Sequence, residues 1–458
     1  MGSNWKTTTL GEIADRSPHA FVDGPFGSNL PASSYTVAGV PLIRGSNLSL
    51  GATRFRSDEF VYVSNETATR LQRSCCKPLD IIFTKKGTLS QTGIVPEHGK
   101  HKRYLLSGNQ MKLTLDQSKA DPLFVFYFVS SPRSRAKIIQ DSTVTGVPKT
   151  NLTYLRTFPI LLPPLAEQKT IAAVLGTLDD KIELNRRMNA TLEAMARALF
   201  QSWFVDFDPV RAKLDGLQPS GLDEATLALF PAAFQDSAVG HIPQSWKVGV
   251  LDELTNFVIG GDWGATEPTE DETVSCYCIR GADIPSLQAG GVGKMPTRFL
   301  KPSSVEKRQL RDGDLAIEIS GGSPTQCTGR LVLVCEGLLR SLGQPLIASN
   351  FCRIVKLKSP ALSKFVYCWL RRLYDTGELS QFETGTTGIK NFAFVIFSEM
   401  YPLVVPDLRI IEAFDRIVSP FFARIQANSH QSRRLATLRD TLLPRLLSGE
   451  LSPKESTT

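Results

Sequence analysis

Two stretches of the chain place apolar residues at alternating steps of three and four. In the first stretch, the repeating positions are Ile171, Leu175, Leu178, Ile182, Asn185, Met188, Leu192, Met195 and Leu199. The second stretch continues the same frame 243 residues later, at Val418, Phe421, Ile425, Asn428, Gln431, Leu435, Leu438 and Leu442. This spacing is typical of a coiled-coil seam, the stripe with which one helix faces another. We therefore predict two long helices that pair as an antiparallel coiled coil.

One asparagine occupies the same position in both predicted seams, as Asn185 and Asn428. A polar residue at a seam position lowers stability but fixes the register of the pair. If the helices pair about a pseudo-twofold axis, these two residues face each other near its centre. The alternative is that each helix packs separately on its own globular domain. The matched asparagines favour pairing.

The whole chain repeats itself once, at an offset of 236–242 residues. The landmarks that recur in order are Trp5 and Trp246, Arg44-Gly45 and Arg280-Gly281, Asn109 and Asn350, Gly146 and Gly388, and Lys149 and Lys390. Matching order at a fixed offset indicates a tandem duplication of a unit of about 240 residues.

The part of each repeat before its helix alternates short β-rich runs with Gly, Pro and Ser turns, which is an α+β pattern. After the first helix, aromatic, acidic and proline residues without periodicity predict a largely extended connector. The predicted segments are a globular part at 1–162, a helix at 163–202, the connector at 203–245, a second globular part at 246–404, a helix at 405–451 and a tail at 452–458.

The charge is unevenly distributed along the chain. Residues 1–165 carry a net charge of +9, residues 166–245 carry −4, and residues 246–405 carry 0. A basic first third fits an anionic partner such as nucleic acid, whereas the acidic connector fits a protein partner. No apolar run approaches the roughly 20 residues of a membrane span, and the N-terminus has no signal-peptide core. We expect a cytoplasmic protein.

The eight cysteines include no C-x-x-C pair, so we expect reduced thiols rather than a zinc site or disulfides. Cys276 and Cys278 would share one face of a strand, in a packing role. Phosphate-binding G-x-x-x-x-G-K-[ST], dinucleotide-binding G-x-G-x-x-G after a strand, Asn/Asp-Pro-Pro-aromatic and G-x-S-x-G motifs are all absent. Asp179-Asp180-Lys181 has the D-x-K spacing of some nucleases, but it lies within the heptads and is predicted to be a solvated helix face. We predict no catalysis and no metal site in this chain alone.

Three segments carry a family resemblance. LPPLAEQKTIAAVLGTLDDKIELNRRMN and the residues that follow it, ATLRDTLLPRLLSGEL (436–451) and the Trp-Lys starts at Trp5 and Trp246 resemble the specificity subunits of type I restriction-modification systems. The resemblance implies two target recognition domains separated by antiparallel helices, each reading one half of a split double-stranded DNA site. It also implies methyltransferase subunits that bring S-adenosylmethionine, and a restriction subunit that uses ATP and Mg. None of these cofactors is expected on this chain.

The two long helices are predicted to act as a spacer between the recognition domains. About thirty residues at 1.5 Å each give a rod of about 45 Å, longer than one turn of B-DNA at about 34–36 Å. We expect the rod to set the gap between the two half-sites. The Gly-rich turns differ between the repeats, TKKGTL against ISGGSP, which implies different half-sites.

The candidate DNA-contacting residues lie on turns of both recognition domains. In the first they are Arg44, Lys85, Lys86, Thr88, Gly146 and Lys149, and in the second Arg280, Ser320, Arg330, Gly388 and Lys390. Such side chains and amides reach phosphates or base edges, although each also fits an ordinary exposed turn. Arg44 and Arg280 recur in both repeats, which favours scaffold or phosphate contacts. The alternative functions are a coiled-coil scaffold without a DNA role and a self-contained DNA methyltransferase or nuclease.

Overall fold

The computed structural model describes residues 4–51, 53–57, 59–142, 148–217, 219, 221–321, 326–385 and 389–452. The chain divides into two compact units. Unit 1 comprises Met1–Lys181 with Leu435–Thr458, and unit 2 comprises Ile182–Arg434. The division falls inside both long helices, so each unit contains one part of each helix.

The first repeat contains eleven strands among its described residues. They are β1 (Lys6–Thr9), β2 (Phe21–Asp23), β3 (Tyr35–Thr36), β4 (Val40–Ile43), β5 (Val61–Val63), β6 (Cys75–Cys76), β7 (Ile81–Thr84), β8 (Thr92–Ile94), β9 (Tyr104–Leu106), β10 (Gln110–Leu113) and β11 (Pro159–Leu162). The helices are α1 (Asn65–Arg70), α2 (Pro122–Ser130), α3 (Pro132–Gln140), α4 (Leu152–Thr157) and the 40-residue α5 (Leu165–Phe204). Side chains that accept backbone N–H bonds start several of these helices, as Asp121 does for α2.

Unit 1 is built from antiparallel sheets with one parallel pairing. The four-stranded sheet has the order β2-β10-β7-β8, the five-stranded sheet has the order β3-β5-β4-β9-β6, and β1 pairs with β11. In the five-stranded sheet β4 and β9 are parallel. Strands such as β7 are buried along their whole length, and α2 adds Phe124 and Tyr127 to the same core. This explains the continuous apolar runs in their sequences.

The remaining strands and helices belong to unit 2, apart from the end of the last helix. The strands are β12 (Phe234–Ser237), β13 (Gly240–Pro243), β14 (Lys247–Gly249), β15 (Thr255–Gly260), β16 (Val274–Ile279), β17 (Thr297–Leu300), β18 (Leu315–Glu318), β19 (Ser320–Gly321), β20 (Leu331–Leu333), β21 (Leu346–Ala348), β22 (Cys352–Leu357), β23 (Glu383–Thr384), β24 (Lys390–Phe392) and β25 (Leu403–Val405). The helices are α6 (Asp208–Leu214), α7 (Glu224–Leu229), α8 (Leu251–Leu254), α9 (Ile284–Gln288), α10 (Pro302–Arg308), α11 (Glu336–Leu342), α12 (Leu362–Asp375), α13 (Phe394–Met400) and α14 (Leu408–Leu447).

The second repeat reproduces the four-stranded sheet of the first, whereas the five-stranded sheet corresponds to a three-stranded one with the order β17-β16-β21. Its four-stranded sheet has the order β15-β22-β18-β20, which corresponds strand for strand to β2-β10-β7-β8, and β14 pairs with β25 as β1 pairs with β11. The parallel pairing of β16 with β21 corresponds to that of β4 with β9. The predicted duplication is therefore confirmed at the level of strand order.

The connector between the repeats is not extended, so that prediction is wrong. It contains α6, α7 and the antiparallel β12–β13 hairpin. Its aromatic residues other than the partly buried Phe234 are buried around the end of α5, where the rings of Trp203 and Phe230 lie 5.0 Å apart. A short compact segment of this kind has no long hydrophobic period for a sequence pattern to detect.

The long helices α5 and α14 pair in antiparallel fashion within unit 2. Asn185 lies beside Gln431 and Ser432, whereas Phe200, further along α5, lies beside Phe414, which is earlier in α14. Within unit 1, Asp179 of α5 contacts Arg439 of α14. The predicted antiparallel pairing is confirmed by these contacts, which exclude helices that pack separately.

The seam itself differs from the predicted one beyond the asparagines. The predicted seam residues Met195 and Leu438 are 48% and 47% exposed, whereas Asn189 and Ala196 are buried. The step after Asn185 is four residues rather than three, so every later seam position moves by one. The same shift occurs after Asn428, where Arg439 replaces Leu438. The step of four residues leads from Asn185 to Asn189, which is polar, so a pattern of apolar residues does not reveal it.

Asn185 and Asn428 are neighbours, but their two amides do not bond to each other. The Asn185 amide donates to the backbone carbonyl of Asn428 at 3.3 Å and to Gln431 at 2.9 Å. The Asn428 amide instead donates to Oδ1 of Asn189. The centre of the pair is thus a polar network of several side chains.

A tight loop of the second repeat rests on this network. Gly290, with φ of +83°, accepts a hydrogen bond from Arg433 at its carbonyl. A Cβ atom at Gly290 would lie 1.9 Å from Oγ of Ser429, so only glycine fits there.

Candidate nucleic-acid interface

In unit 1 the backbone brings two separate loops together. The turn after β7 lies beside the segment before α4, where Lys86 and Lys149 form an antiparallel bridge. The N–H of Thr150 donates to the carbonyl of Lys85 at 3.0 Å, and the N–H of Lys85 donates to the carbonyl of Asn109 at 2.7 Å. Residues far apart in the sequence therefore share one edge of the four-stranded sheet.

A cleft of about 600 Å³ opens at this edge. Its lining includes four of the predicted contact residues, namely Arg44, Lys85, Lys86 and Lys149. Thr88 is exposed but does not line the cleft, and Gly146 lies outside the described residues.

The cleft also contains two aromatic residues that the sequence analysis missed. Phe26 is 72% exposed and Tyr35 is 37% exposed. The ring of Phe26 lies 5.6 Å from the Lys85 ammonium. Neither residue belongs to a repeated landmark, so the comparison of the two repeats does not select them. The only signal is an aromatic residue between Pro25 and Gly27, in a segment that cannot continue a strand.

The cations of this cleft differ in their partners. Lys85 forms an ion pair of 2.8 Å with Asp23. Within the described residues, Arg44, Lys86 and Lys149 form no ion pair, and the buried Nε of Arg44 has no hydrogen-bond partner. Three positive charges are thus available to an external anion.

Unit 2 repeats the backbone arrangement at its own Gly-rich turn. Ser320 and Gly321 of β19 pair with Asn391 and Lys390 of β24, as Lys86 pairs with Lys149 in unit 1. Ser320 is partly exposed, and Gly388 lies outside the described residues.

The predicted cations of unit 2 are all bound to carboxylates of the same unit. Arg280 donates to Asp283 at 2.8 and 3.1 Å, and Lys390 lies 3.0 Å from Glu383. Arg330 donates two hydrogen bonds to Glu318, at 2.8 and 2.5 Å, and its side chain is 14% exposed. Each of these cations is therefore already paired with a carboxylate at the position where it would otherwise pair with a phosphate.

The electrostatics of these pairs agree with their geometry. The hydrogen bond to Asp283 raises the pKa of Arg280. Burial opposes ionisation of Asp283, but the bonds from Arg280 and from the N–H of Lys294 outweigh it and lower the pKa of that carboxyl. Both groups are held in their charged forms.

Asp179 is buried, so its predicted solvated position is wrong. It accepts hydrogen bonds from the Tyr127 hydroxyl at 2.5 Å and from Arg439 at 2.6 Å, and its side chain is 8% exposed. Its neighbour Asp180 is exposed and bonds to Arg54. In the described part of the chain, no group of three or more His, Cys, Asp or Glu residues is placed to hold a metal ion.

Cys276 and Cys278 lie on the same face of β16, as predicted, and both are fully buried. They pack against Leu300, Val305 and Ile347. Burial raises the pKa of Cys276 to about 11 and that of Cys278 to about 12, so both remain thiols at neutral pH. Their role is packing.

None of the helices in the described residues combines the length and the apolar character that a membrane crossing requires.

Comparison with known proteins gives consistent matches. Residues 72–194 match the family described as type I restriction modification DNA specificity domain. The specificity subunit of the type I restriction enzyme HindI from Haemophilus influenzae is 26% identical, over 80% of this chain and 87% of that protein. The specificity subunit of MjaIX from Methanocaldococcus jannaschii is 24% identical, over 72% and 69% respectively.

A solved structure shows the same fold. The S subunit of a type I restriction-modification system from M. genitalium aligns with 100% of this chain and 98% of its own, with a TM-score of 0.50 and 15% identity. The sequence matches and this fold together make the chain similar to type I restriction-modification specificity subunits over most of its length.

Proposed function

We propose that this chain is the DNA-recognition subunit of a type I restriction-modification complex and is not itself catalytic. Each repeat reads one half of a split site in double-stranded DNA, and α5 and α14 set the gap and dock methyltransferase subunits. A restriction subunit completes the complex. S-adenosylmethionine, ATP and Mg act on those partners, this chain carries no cofactor of its own, and the complex works in the cytoplasm.

The observation that carries the proposal is the repeated edge of the four-stranded sheet. In both repeats a Gly-rich turn lies beside a second loop, through Lys86 and Lys149 in one and Gly321 and Lys390 in the other. Two similar edges with different side chains suit the reading of two different short sequences, since base edges are distinguished by side-chain donors and acceptors.

We propose a separate role for each segment of the chain. Residues 1–162 and 246–404 are the target recognition domains, and residues 163–202 and 405–451 are the spacer helices. Residues 203–245 form the connector and residues 452–458 the tail. Among the predicted contacts, Arg44, Lys86 and Lys149 have charges available for phosphates.

Methylation mapping tests the proposal. The chain is expressed with its methyltransferase subunit, and modified adenines are mapped across the host DNA. We expect two short sequences separated by a gap of constant length. Exchange of residues 246–405 for the same region of another specificity subunit should change one half of the site and leave the other half unchanged.

Two results would contradict the proposal in different ways. Methylation or cleavage by the purified chain alone would favour a self-contained enzyme. Modification that is identical with and without the chain, together with no salt-dependent binding to duplex DNA, would favour a coiled-coil scaffold.

A further inference from the structure

We infer that the two repeats contact DNA unequally: the unit 1 cleft binds backbone phosphates through Arg44, Lys86 and Lys149, whereas the corresponding cations of unit 2 do not. This inference rests on the proposed function, because it concerns how that same DNA is held. Three equivalent positions carry it. At two of them a carboxylate of unit 2 pairs with a cation whose counterpart in unit 1 has no carboxylate partner, and at the other a carboxylate of unit 2 stands where unit 1 has a neutral side chain.

The first position is the turn that follows β4 in one repeat and β16 in the other. In both turns an arginine N–H donates to the side chain three residues later, at 2.9 Å from Arg44 to Asn47 and at 3.2 Å from Arg280 to Asp283. The aspartate also binds the Arg280 guanidinium. Asn47 forms the same turn, but its side-chain amide is uncharged and therefore does not neutralise Arg44. The amide nitrogen donates instead to the backbone carbonyls of residues 56 and 59.

The second position is the end of the central strand. Thr84 of β7 lies opposite Gln110, and Glu318 of β18 lies opposite Cys352, so Thr84 and Glu318 are equivalent by register. The Glu318 carboxylate fills the space beside the arginine turn, because a Cβ at Gly281 would lie 2.1 Å from its Oε1. In unit 1 the nearest group to the same position at Gly45 is the neutral amide oxygen of Gln91, at 3.3 Å.

The third position is the lysine of the second loop. Glu383 precedes Lys390 by seven residues and pairs with it at 3.0 Å. Asp141 precedes Lys149 by eight residues, but it bonds instead to Lys137 at 2.9 Å and Tyr154 at 2.8 Å. Lys149 is therefore left without a carboxylate among the described residues, beside Lys86.

The difference in pairing has a measurable consequence. Binding of a phosphate by an unpaired cation releases condensed counterions from DNA, and each such contact contributes about 0.9 to the slope of log affinity against log salt. A cation that must first leave its own carboxylate gains little, because one ion pair replaces another. The net charges of +9 for residues 1–165 and 0 for residues 246–405 agree in direction.

Matched substitutions test the inference. The full chain is titrated with a fluorescent mixed-sequence duplex over a series of salt concentrations. K149A and K86A, in unit 1, should each lower the slope by about 0.9, and K390A, at the corresponding lysine of unit 2, should leave it unchanged. R44Q and R280Q form a second matched pair with the same expectation.

Variants that increase the slope of log affinity against log salt provide a second test of the inference. D283N and E383Q release Arg280 and Lys390 from their carboxylates, and each should raise the slope towards that of unit 1. Thermal unfolding of every variant shows whether the chain remains folded.

Equal loss of slope in K149A and K390A would overturn the inference while leaving DNA recognition intact. Unchanged slopes in K86A, K149A and R44Q would overturn it as well. A failure of the proposed function looks different, because the unmodified chain then shows no salt-dependent binding to any duplex.

Discussion

The amide of Asn428 donates a hydrogen bond of 3.0 Å to Oδ1 of Asn189, and both side chains are buried between α5 and α14. Asn189 in turn donates to Oγ of Ser429 at 3.2 Å. The amides of Asn185, Asn189 and Asn428 each donate to an acceptor on the other helix. The network therefore fixes which residues face each other, because a slip of either helix leaves several polar groups unpaired.

The pairing of Asn189 with Asn428 predicts a non-additive effect of substitution. N428L leaves Asn189 without its donor and should lower the free energy of unfolding by about 1–3 kcal/mol. N189L/N428L removes both polar groups and should cost less than the sum of the single variants. Urea unfolding midpoints of the full chain measure the coupling. Additive effects would show that the two amides act independently.

The buried Asp179 predicts a larger loss. Removal of its carboxylate in D179A leaves Arg439 largely buried with only the exposed Asp440 as an ionic partner, which should cost about 3 kcal/mol in unfolding free energy. Y127F removes one hydrogen bond and should cost only about 1 kcal/mol. Urea unfolding again provides the measurement.

Asp180 supplies the matched control for Asp179, because it is the next residue and forms an exposed ion pair with Arg54. D180A should change stability by less than about 1 kcal/mol. A loss in D180A as large as that in D179A would mean that burial of the Asp179 carboxylate is not the cause of the destabilisation.

The lowered pKa of Asp283 predicts a pH dependence. A carboxyl whose pKa is depressed in the folded state adds stability above its unfolded value of about 4, and this stability is lost as the pH falls through the folded value. Thermal midpoints of the unmodified chain and D283N should therefore differ at neutral pH and converge below about pH 4. A constant difference across that range would contradict the assignment.

The proposed spacer role of the helices predicts a change in the DNA gap. Insertion of one heptad into α5 and one into α14, at facing positions, keeps both seams in frame. Methylation mapping should then find the same two half-sites with a longer gap. An unchanged gap would remove the helices from the control of spacing, whereas an insertion in one helix alone should disrupt the pairing.

The architecture could be predicted because its signals are periodic or repeated. The heptad pattern gave both long helices and their pairing, and recurrent landmarks such as Trp5 and Trp246 gave the duplication. The prediction of seam residues was wrong after Asn185. The true next position is the polar Asn189, whereas the apolar residue at position 188 fits a step of three. Polar seam positions are fixed by partners on the other helix, which a single helix does not reveal.

The sequence predicted residues of unit 1 that lie close together in the structure, but it did not predict which candidate cations form ion pairs. The repeated turns led to Arg44, Lys86 and Lys149, which the fold brings to one cleft. The same reasoning selected Arg330, whose carboxylate partner Glu318 lies twelve residues earlier in the sequence. Ion pairs between neighbouring strands depend on register, and a turn motif carries no information about register.

The close approach of Gly290 to Ser429 limits which segments can replace the second globular part of this chain. A replacement for residues 246–405 drawn from a relative must bring a glycine, in the left-handed conformation, to the point where its loop meets α14. A donor with any larger residue there would push its loop away from the helix before it met any DNA. Steric fit to Ser429 is thus a requirement that any segment exchanged into this chain must meet, whatever DNA sequence that segment reads.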